Sequence, residues 1–431
     1  MRRPSSAAFV VASAWAARLV TAFVGIYSLR VLSALLTPAE YAVFVVIVGL
    51  AGWYALAGDP GIGYATQNAV TRKLAAKEDA GEDILSAYLM LGAAAALVAL
   101  LTLAFSGVLS ARLFASFQPL EAGSYESTLW WSGLVFAVAA AAGASSKILY
   151  AAHRGYVANI VTAIASVTGF VVLTAGLASS HRKVLFAVGA LYGVPMLLAL
   201  ALAARQAWRA RAARHRVERR HFASLWRAAR GFLLFNVIAA AVLQVDYIIM
   251  SQKVESLEIV QYYNIAKLFA FSSFFSQAVM FAVWPRFTQQ FAEGKADEVS
   301  RALGKLVLLG VPLALGTTLF VLFAAKPLAH VLSPGTHIEF RATVVGGFGA
   351  LALIRCLTDP YAVFLQSIGR TRPLIVFAAV QAPISAGLQW VLAGWLGVEG
   401  ILVALVLSFL LTVAWGLPRA ARLSLAAPAA P

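Results

Sequence analysis

Cysteine and acidic residues are scarce in this chain, and each shortage removes a class of function. One cysteine, Cys356, stands in 431 residues, so neither an internal disulfide framework nor a thiolate metal site can form. The six histidines are scattered. His215 and His221, the nearest pair, lie in an arginine-rich stretch at a spacing that suits solvated loop residues rather than metal ligands. Glycine-rich phosphate loops ending in Lys-Ser/Thr, HExxH pairs, nucleophile elbows and paired-carboxylate hydrolase sites are all missing. No large external loop is present to house a glycosyltransferase or polymerase site. The expectation is a chain with no ATPase engine, no cofactor, no metal and no enzymatic activity.

What the sequence has in abundance is apolar surface. Hydrophobic residues make up 61% of the chain and charged residues 12%, with a mean hydropathy of +0.83. A soluble chain of this length needs far more polar surface to cover its core. The first apolar run follows Met1-Arg2-Arg3 like a signal peptide. It continues for about 28 residues, too long for a cleaved segment, and is read as a retained helix.

Twelve segments reach spanning length, at about 9–36, 41–70, 84–110, 127–150, 157–178, 183–204, 231–252, 258–284, 299–325, 340–368, 373–393 and 398–418. With both termini placed in the cytoplasm, and with Lys183, Arg301, Lys305 and Arg341 at span ends counted with their adjoining loops, 23 Lys and Arg fall inside, 6 outside and 5 within spans, the asymmetry that the positive-inside rule requires. The net charge of +16 is therefore a topology signal with attraction to anionic membrane lipids, and nucleic acid is not an expected partner.

The halves echo each other. TPAEYAVFVVIVGLAGW (Thr37 to Trp53) and SLEIVQYYNIAKLFAF (Ser256 to Phe271) each open a span after a short turn, and RKLAAKEDAGEDI (Arg72 to Ile84) and RFTQQFAEGKADEV (Arg286 to Val299) close the two hairpins. Six spans separate the copies, so both halves insert in the same sense, the parallel repeat of a transporter with a site between its halves. The expected fold is an all-α polytopic membrane protein of about 12 transmembrane helices in two six-helix bundles, 1–204 and 231–431. A basic cytoplasmic linker, 205–230, joins them. That linker holds nine Arg and one acid, Glu218, interleaved with Trp208, Phe222, Leu225 and Trp226, as in a helix lying on a membrane surface.

Five basic residues fall inside spans: Arg18, Arg30, Lys147, Lys267 and Arg355. At about 2.5–3.5 kcal/mol each at bilayer centre, exposing all of them to lipid would cost on the order of 10–15 kcal/mol, comparable with a domain's stability. They must face a wet cavity, pair with acids, or snorkel to an interface. Arg30 and Lys147 lie close enough to span ends to snorkel. Arg355 and Asp359 are four apart on one helix and can neutralise each other. Asp59, Asp246 and Asp359 are the candidates for ion coupling or charge pairing. DPGIG (Asp59 to Gly63) reads as a helix interruption in which Asp59 caps the following segment and Pro60 fits its first turn.

Several ordered motifs carry a family resemblance: LTPAEYAVF (Leu36 to Phe44), LAGDPGIGYATQNAVTRKLA (Leu56 to Ala75), DYIIMSQ (Asp246 to Gln252), EIVQYYNIAKL (Glu258 to Leu268) and AVWPRFTQQFAEG (Ala282 to Gly294). Over nearly its whole length the chain resembles the Wzx-type polysaccharide and O-antigen repeat-unit flippases. These form the oligosaccharide flippase family of the multidrug/oligosaccharidyl-lipid/polysaccharide exporter superfamily. The family's usual Asp-Leu-Gly in the second span is Asp59-Pro60-Gly61 here, and twelve spans rather than fourteen speak against the lipid II flippase branch. The resemblance implies a bacterial inner-membrane flippase that moves an undecaprenyl-diphosphate-linked oligosaccharide outward by alternating access. A polysaccharide polymerase and export machinery are its implied protein partners. On that reading Arg18, Arg30, Lys147, Lys267 and Arg355 line a cavity for the diphosphate and glycan, Arg being suited to phosphate by its planar fork of donors. Two other readings stay open: a cation-coupled drug or metabolite antiporter of the same superfamily, and a membrane assembly subunit that transports nothing.

Overall fold

The computed structural model describes residues 6–117, 124–152, 154–212, 218–332 and 340–426. His215 and the middle of the arginine-rich run lie outside them. The described residues form α-helices and one π turn, with no strand among them. The chain divides into two units, residues 1–237 and 238–431.

The first unit holds α1 (Ser6–Leu35), α2 (Pro38–Gly58), α3 (Ile62–Ala75), α4 (Gly81–Leu113), α5 (Tyr125–Ala151), α6 (Gly155–Gly176), α7 (Lys183–Val188) and α8 (Val194–Ala212), the last two joined by a π turn at Gly189–Gly193. Helix α9 (Arg219–Leu243) begins in it and crosses the boundary. The second unit continues with α10 (Val245–Lys253), α11 (Ser256–Ala292), α12 (Ala296–Phe323), α13 (Ala325–Leu332), α14 (Ala342–Ser367), α15 (Arg372–Leu411) and α16 (Val413–Ala426).

Local chemistry sets the boundaries. Thr37 and Glu40 form a reciprocal capping box at the start of α2, the Thr37 hydroxyl accepting from the Glu40 amide at 3.2 Å and the Thr37 amide donating to Glu40 Oε2 at 3.0 Å. Pro38 occupies the first turn, where its missing N–H costs nothing. The predicted interruption at DPGIG is present: α2 ends at Gly58, and Gly61 turns the chain with φ +85°, a left-handed value that suits glycine. The expected span 41–70 is thus two helices. At the other end of the chain, Gly397 has φ +58° inside the segment 372–411 and separates the expected eleventh and twelfth spans.

Among the described residues ten segments are long and apolar enough to cross a membrane. Twelve spans are consistent with this: α11, 37 residues long, covers the expected eighth, and the 55-residue segment Arg372–Ala426 contains two. Helix α4 exposes Leu97, Leu100, Leu103, Phe105 and Val108, a patch that would drive aggregation in water and is the natural surface of a helix against lipid.

Each unit is organised around one central helix. Helix α5 packs against α2, α3, α4, α6 and α8, and α14 packs against α11, α12, α15 and α16. These are the fourth and tenth expected spans, the same place in each copy of the parallel repeat. One core cluster joins Ile62 and Ala65 of α3, Ala87 and Leu91 of α4, Ala144 of α5, and Leu225 and Ala229 of α9. The start of α9 is therefore part of the first unit's core.

Candidate functional site

Lys147 and Asp59 come together at the helix break of the first unit. Lys147 Nζ donates to Asp59 Oδ2 at 2.6 Å, while the amide of Gly63 donates to Asp59 Oδ1 at 2.8 Å. The carboxylate therefore caps α3 and neutralises the lysine. Its side chain is 6% exposed against 25% for Lys147, so the pair is held mostly out of water. The ammonium also sits 3.8 Å from the centroid of the Tyr64 ring, a cation–π contact. Packing of α5 against both α2 and α3 fixes this arrangement.

Arg18, on α1, is half-buried and lies within electrostatic reach of the Tyr150 phenol. Tyr150 donates to Asn159 Oδ1, and Asn159 Nδ2 donates to Ser13 Oγ at 2.9 Å. The packing of α1 on α6 and of α5 on α6 assembles this neutral polar shelf beside the guanidinium. Hydroxyls and an amide next to a planar fork of donors suit a phosphate or a sugar hydroxyl. Arg30, twelve residues further along α1, is exposed.

In the second unit Arg355 and Asp359 are bonded along α14, with Nη2 3.1 Å and Nε 3.2 Å from Asp359 Oδ2. Lys267 on α11 is half-buried, its ammonium 5.0 Å from the centroid of the Tyr263 ring, with no carboxylate partner among the described residues. Asp246 on α10 is 5% exposed. It accepts from the Tyr262 hydroxyl at 2.8 Å and from the Tyr247 amide at 2.9 Å, and Tyr262 packs on Phe348.

Two further features went unread in the sequence. Arg341, just before α14, bonds Glu258 at the start of α11 and, at 2.9 Å, Glu399 on α15, tying three helices together. Three polar residues follow one face of α15 at four-residue intervals. Gln381, Ser385 and Gln389 are buried, and Gln389 Nε2 donates to Ser385 Oγ at 2.9 Å. Their spacing was a usable signal; the Arg341 triad had none, since its members lie 83 and 58 residues apart. No metal-ligating cluster of His, Cys, Asp or Glu occurs among the described residues.

Residues 233–391 match the MatE family profile. A protein of Yersinia pseudotuberculosis, named provisionally as an O-antigen export protein, is 31% identical over 419 residues, covering 95% of this chain and 94% of the relative. A provisionally named O-antigen transporter of Salmonella typhimurium is 28% identical over 413 residues, covering 95% of each chain. Among solved structures, an inward-facing multidrug resistance transporter superposes with a TM-score of 0.74 at 12% identity, covering 96% of this chain and 98% of that one. The lipid II flippase MurJ, inward closed, gives 0.69 at 12% identity, covering 95% and 87%. At such identities the two structures establish the fold.

Proposed function

The chain belongs to the Wzx-type oligosaccharide flippase family of the multidrug/oligosaccharidyl-lipid/polysaccharide exporter superfamily, and from that premise we propose that it carries an undecaprenyl-diphosphate-linked oligosaccharide from the inner to the outer leaflet for polysaccharide biosynthesis. It is a multi-pass membrane transporter. The observation that carries the finer reading is the end-to-end likeness to the Yersinia relative, 31% identical across 95% of this chain. Both termini lie in the cytoplasm on this reading, in line with the charge asymmetry of the loops.

Arg18 and Lys267 contact the diphosphate and the first sugars. The support is chemical: Arg18 stands beside the Tyr150–Asn159–Ser13 shelf, and Lys267 has no acidic partner among the described residues. Lys147 and Arg355 already hold carboxylates and serve mainly to position helices. Of the three acids, Asp59 and Asp359 occupy those ion pairs. Asp246 is the group for coupling to an ion or proton gradient, because its buried carboxylate is held by a phenol and an amide. The two six-helix halves alternate access, and the cargo's lipid tail stays in the bilayer.

The test is genetic and biochemical together. Deleting the gene should leave lipid-linked oligosaccharide accumulated on the cytoplasmic leaflet, and the wild-type gene should clear it. Arg18→Gln and Lys267→Gln should each fail to clear it while the protein remains at normal abundance. Clearance by both variants would remove the proposed contacts. Absence of accumulation in the deletion strain would remove the cargo.

A further inference from the structure

The first half of α9 has one face docked and the other bare. His221 Nε2 lies 3.1 Å from Glu82 Oε2. Leu225 and Ala229 are in the core cluster with α3, α4 and α5. The Phe232 ring stacks on Tyr64 with centroids 5.7 Å apart. At about 100° per residue these four positions cover roughly 80° of the helix. The opposite face presents Arg219, Trp226, Arg227 and Arg230, all exposed, within roughly 100°.

The charge on that face is unbalanced. Glu218, the acid nearby, is bonded to Arg220 at 2.7 Å, and Arg219, Arg227 and Arg230 have no acidic partner among the described residues. The first turn of α9 contains no acid, so Arg219 and Arg220 sit at the positive end of the helix dipole, where an anion rather than a cation is stabilised. Trp226, 47% exposed, lies seven residues after Arg219 and four before Arg230, on the same face. Guanidinium groups flanking an exposed indole fit the phosphate level of a bilayer, where Trp anchors and Arg donates to phosphate oxygens.

We propose that this face of α9 binds the head groups of anionic phospholipids, and that the bound lipid holds the connector against the first unit. The charges run from Arg219 to Arg230, roughly 16 Å along the axis. That is longer than one diphosphate can bridge and suited to several head groups in a row. The face also lacks the apolar centre expected of a protein interface, with one aromatic residue among three arginines. The inference stands apart from the identity of the transported glycan.

Native mass spectrometry of the purified full chain, given equimolar phosphatidylglycerol and phosphatidylcholine, reads this directly. Wild type should retain phosphatidylglycerol preferentially. Each Arg→Gln change should lower that preference roughly fivefold, and the triple variant Arg219→Gln/Arg227→Gln/Arg230→Gln should abolish it. The triple Arg→Lys variant, equally charged, should keep most of it, which separates lipid binding from misfolding. Hydrogen exchange of residues 219–232 should slow in phosphatidylglycerol nanodiscs relative to phosphatidylcholine ones for wild type, and not for the Gln variant. Equal retention of the two lipids by wild type overturns the proposal, as does undiminished preference in the Gln variant. Exchange that ignores lipid charge overturns it as well.

Discussion

Removing the charge of Lys147 should destabilise the first unit far more than removing Lys147 and Asp59 together. In Lys147→Met the Asp59 carboxylate, 6% exposed, loses its cation and keeps only the Gly63 amide. Breaking a buried pair from one side costs about 3–5 kcal/mol, and the lower figure applies here because Lys147 retains some contact with water. Loss of the Tyr64 cation–π contact adds about 0.5–1 kcal/mol. For a unit of 237 residues, 3 kcal/mol corresponds to about 6–12 °C in Tm. In Asp59→Asn/Lys147→Met no charge is stranded, and the Asn side-chain oxygen still accepts from Gly63, so most of the loss should be recovered. Thermal unfolding of the detergent-solubilised single, double and wild-type proteins gives the double-mutant cycle. On the proposed function the double variant should also support glycan export, because the Lys147–Asp59 pair is occupied in holding the helix break. The double variant melting as low as Lys147→Met or lower, with the Lys147→Met and Asp59→Asn effects simply adding, would refute the reasoning.

Three more outcomes follow from the same geometry. Gly61→Ala places a Cβ 2.8 Å from the Ala229 carbonyl oxygen and 2.7 Å from Phe232 Cβ, at φ +85°; left-handed strain and overpacking together should cost about 2–4 kcal/mol and speed protease nicking of the connector. Arg341→Gln leaves Glu258 and Glu399 facing each other without their shared cation. Stability should fall by about 1–2 kcal/mol, and a second change, Glu399→Gln, should restore it. Asp246→Asn should uncouple rather than block: in proteoliposomes, flipping should persist downhill and cease to respond to an imposed ion or proton gradient, and a response equal to wild type would exclude Asp246 as the coupling group.

The bilayer makes much of this fold legible in one dimension. A helix that must satisfy its own backbone in hydrocarbon announces itself by about twenty apolar residues, and no tertiary information is needed to find it. That is why α1, α4, α5, α6, α12 and α14 lie where the hydropathy put them. The parallel repeat was readable for the same reason, and so was the break at Asp59-Pro60-Gly61, where a proline and a glycine with φ +85° exert their effects locally.

Pairing of charges over long distances was not legible, because the energy of an ion pair depends on where two helices meet and not on the identity of either residue. Asp59 and Lys147 stand 88 positions apart; along the chain Lys147 reads as a cavity contact or a snorkelling group, and Asp59 as a helix cap or a group for ion coupling or charge pairing. Arg355 and Asp359, four apart on one helix, could be read as partners in advance. Lys267 and Asp246 have Tyr263 and Tyr262 as partners.

Taken by itself, the sequence determined that this is an all-helical polytopic membrane protein with two matching halves, since hydropathy, loop charge and helix breakers act within a single span, and its motifs carried the resemblance to a transporter family. Only tertiary structure decided which intramembrane charges are neutralised and which stand among neutral polar groups. It also decided that the arginine-rich connector is pinned to the first unit by Leu225, Ala229 and Phe232. Desolvation and Coulomb energy are properties of neighbours in space, and no count along the chain contains them.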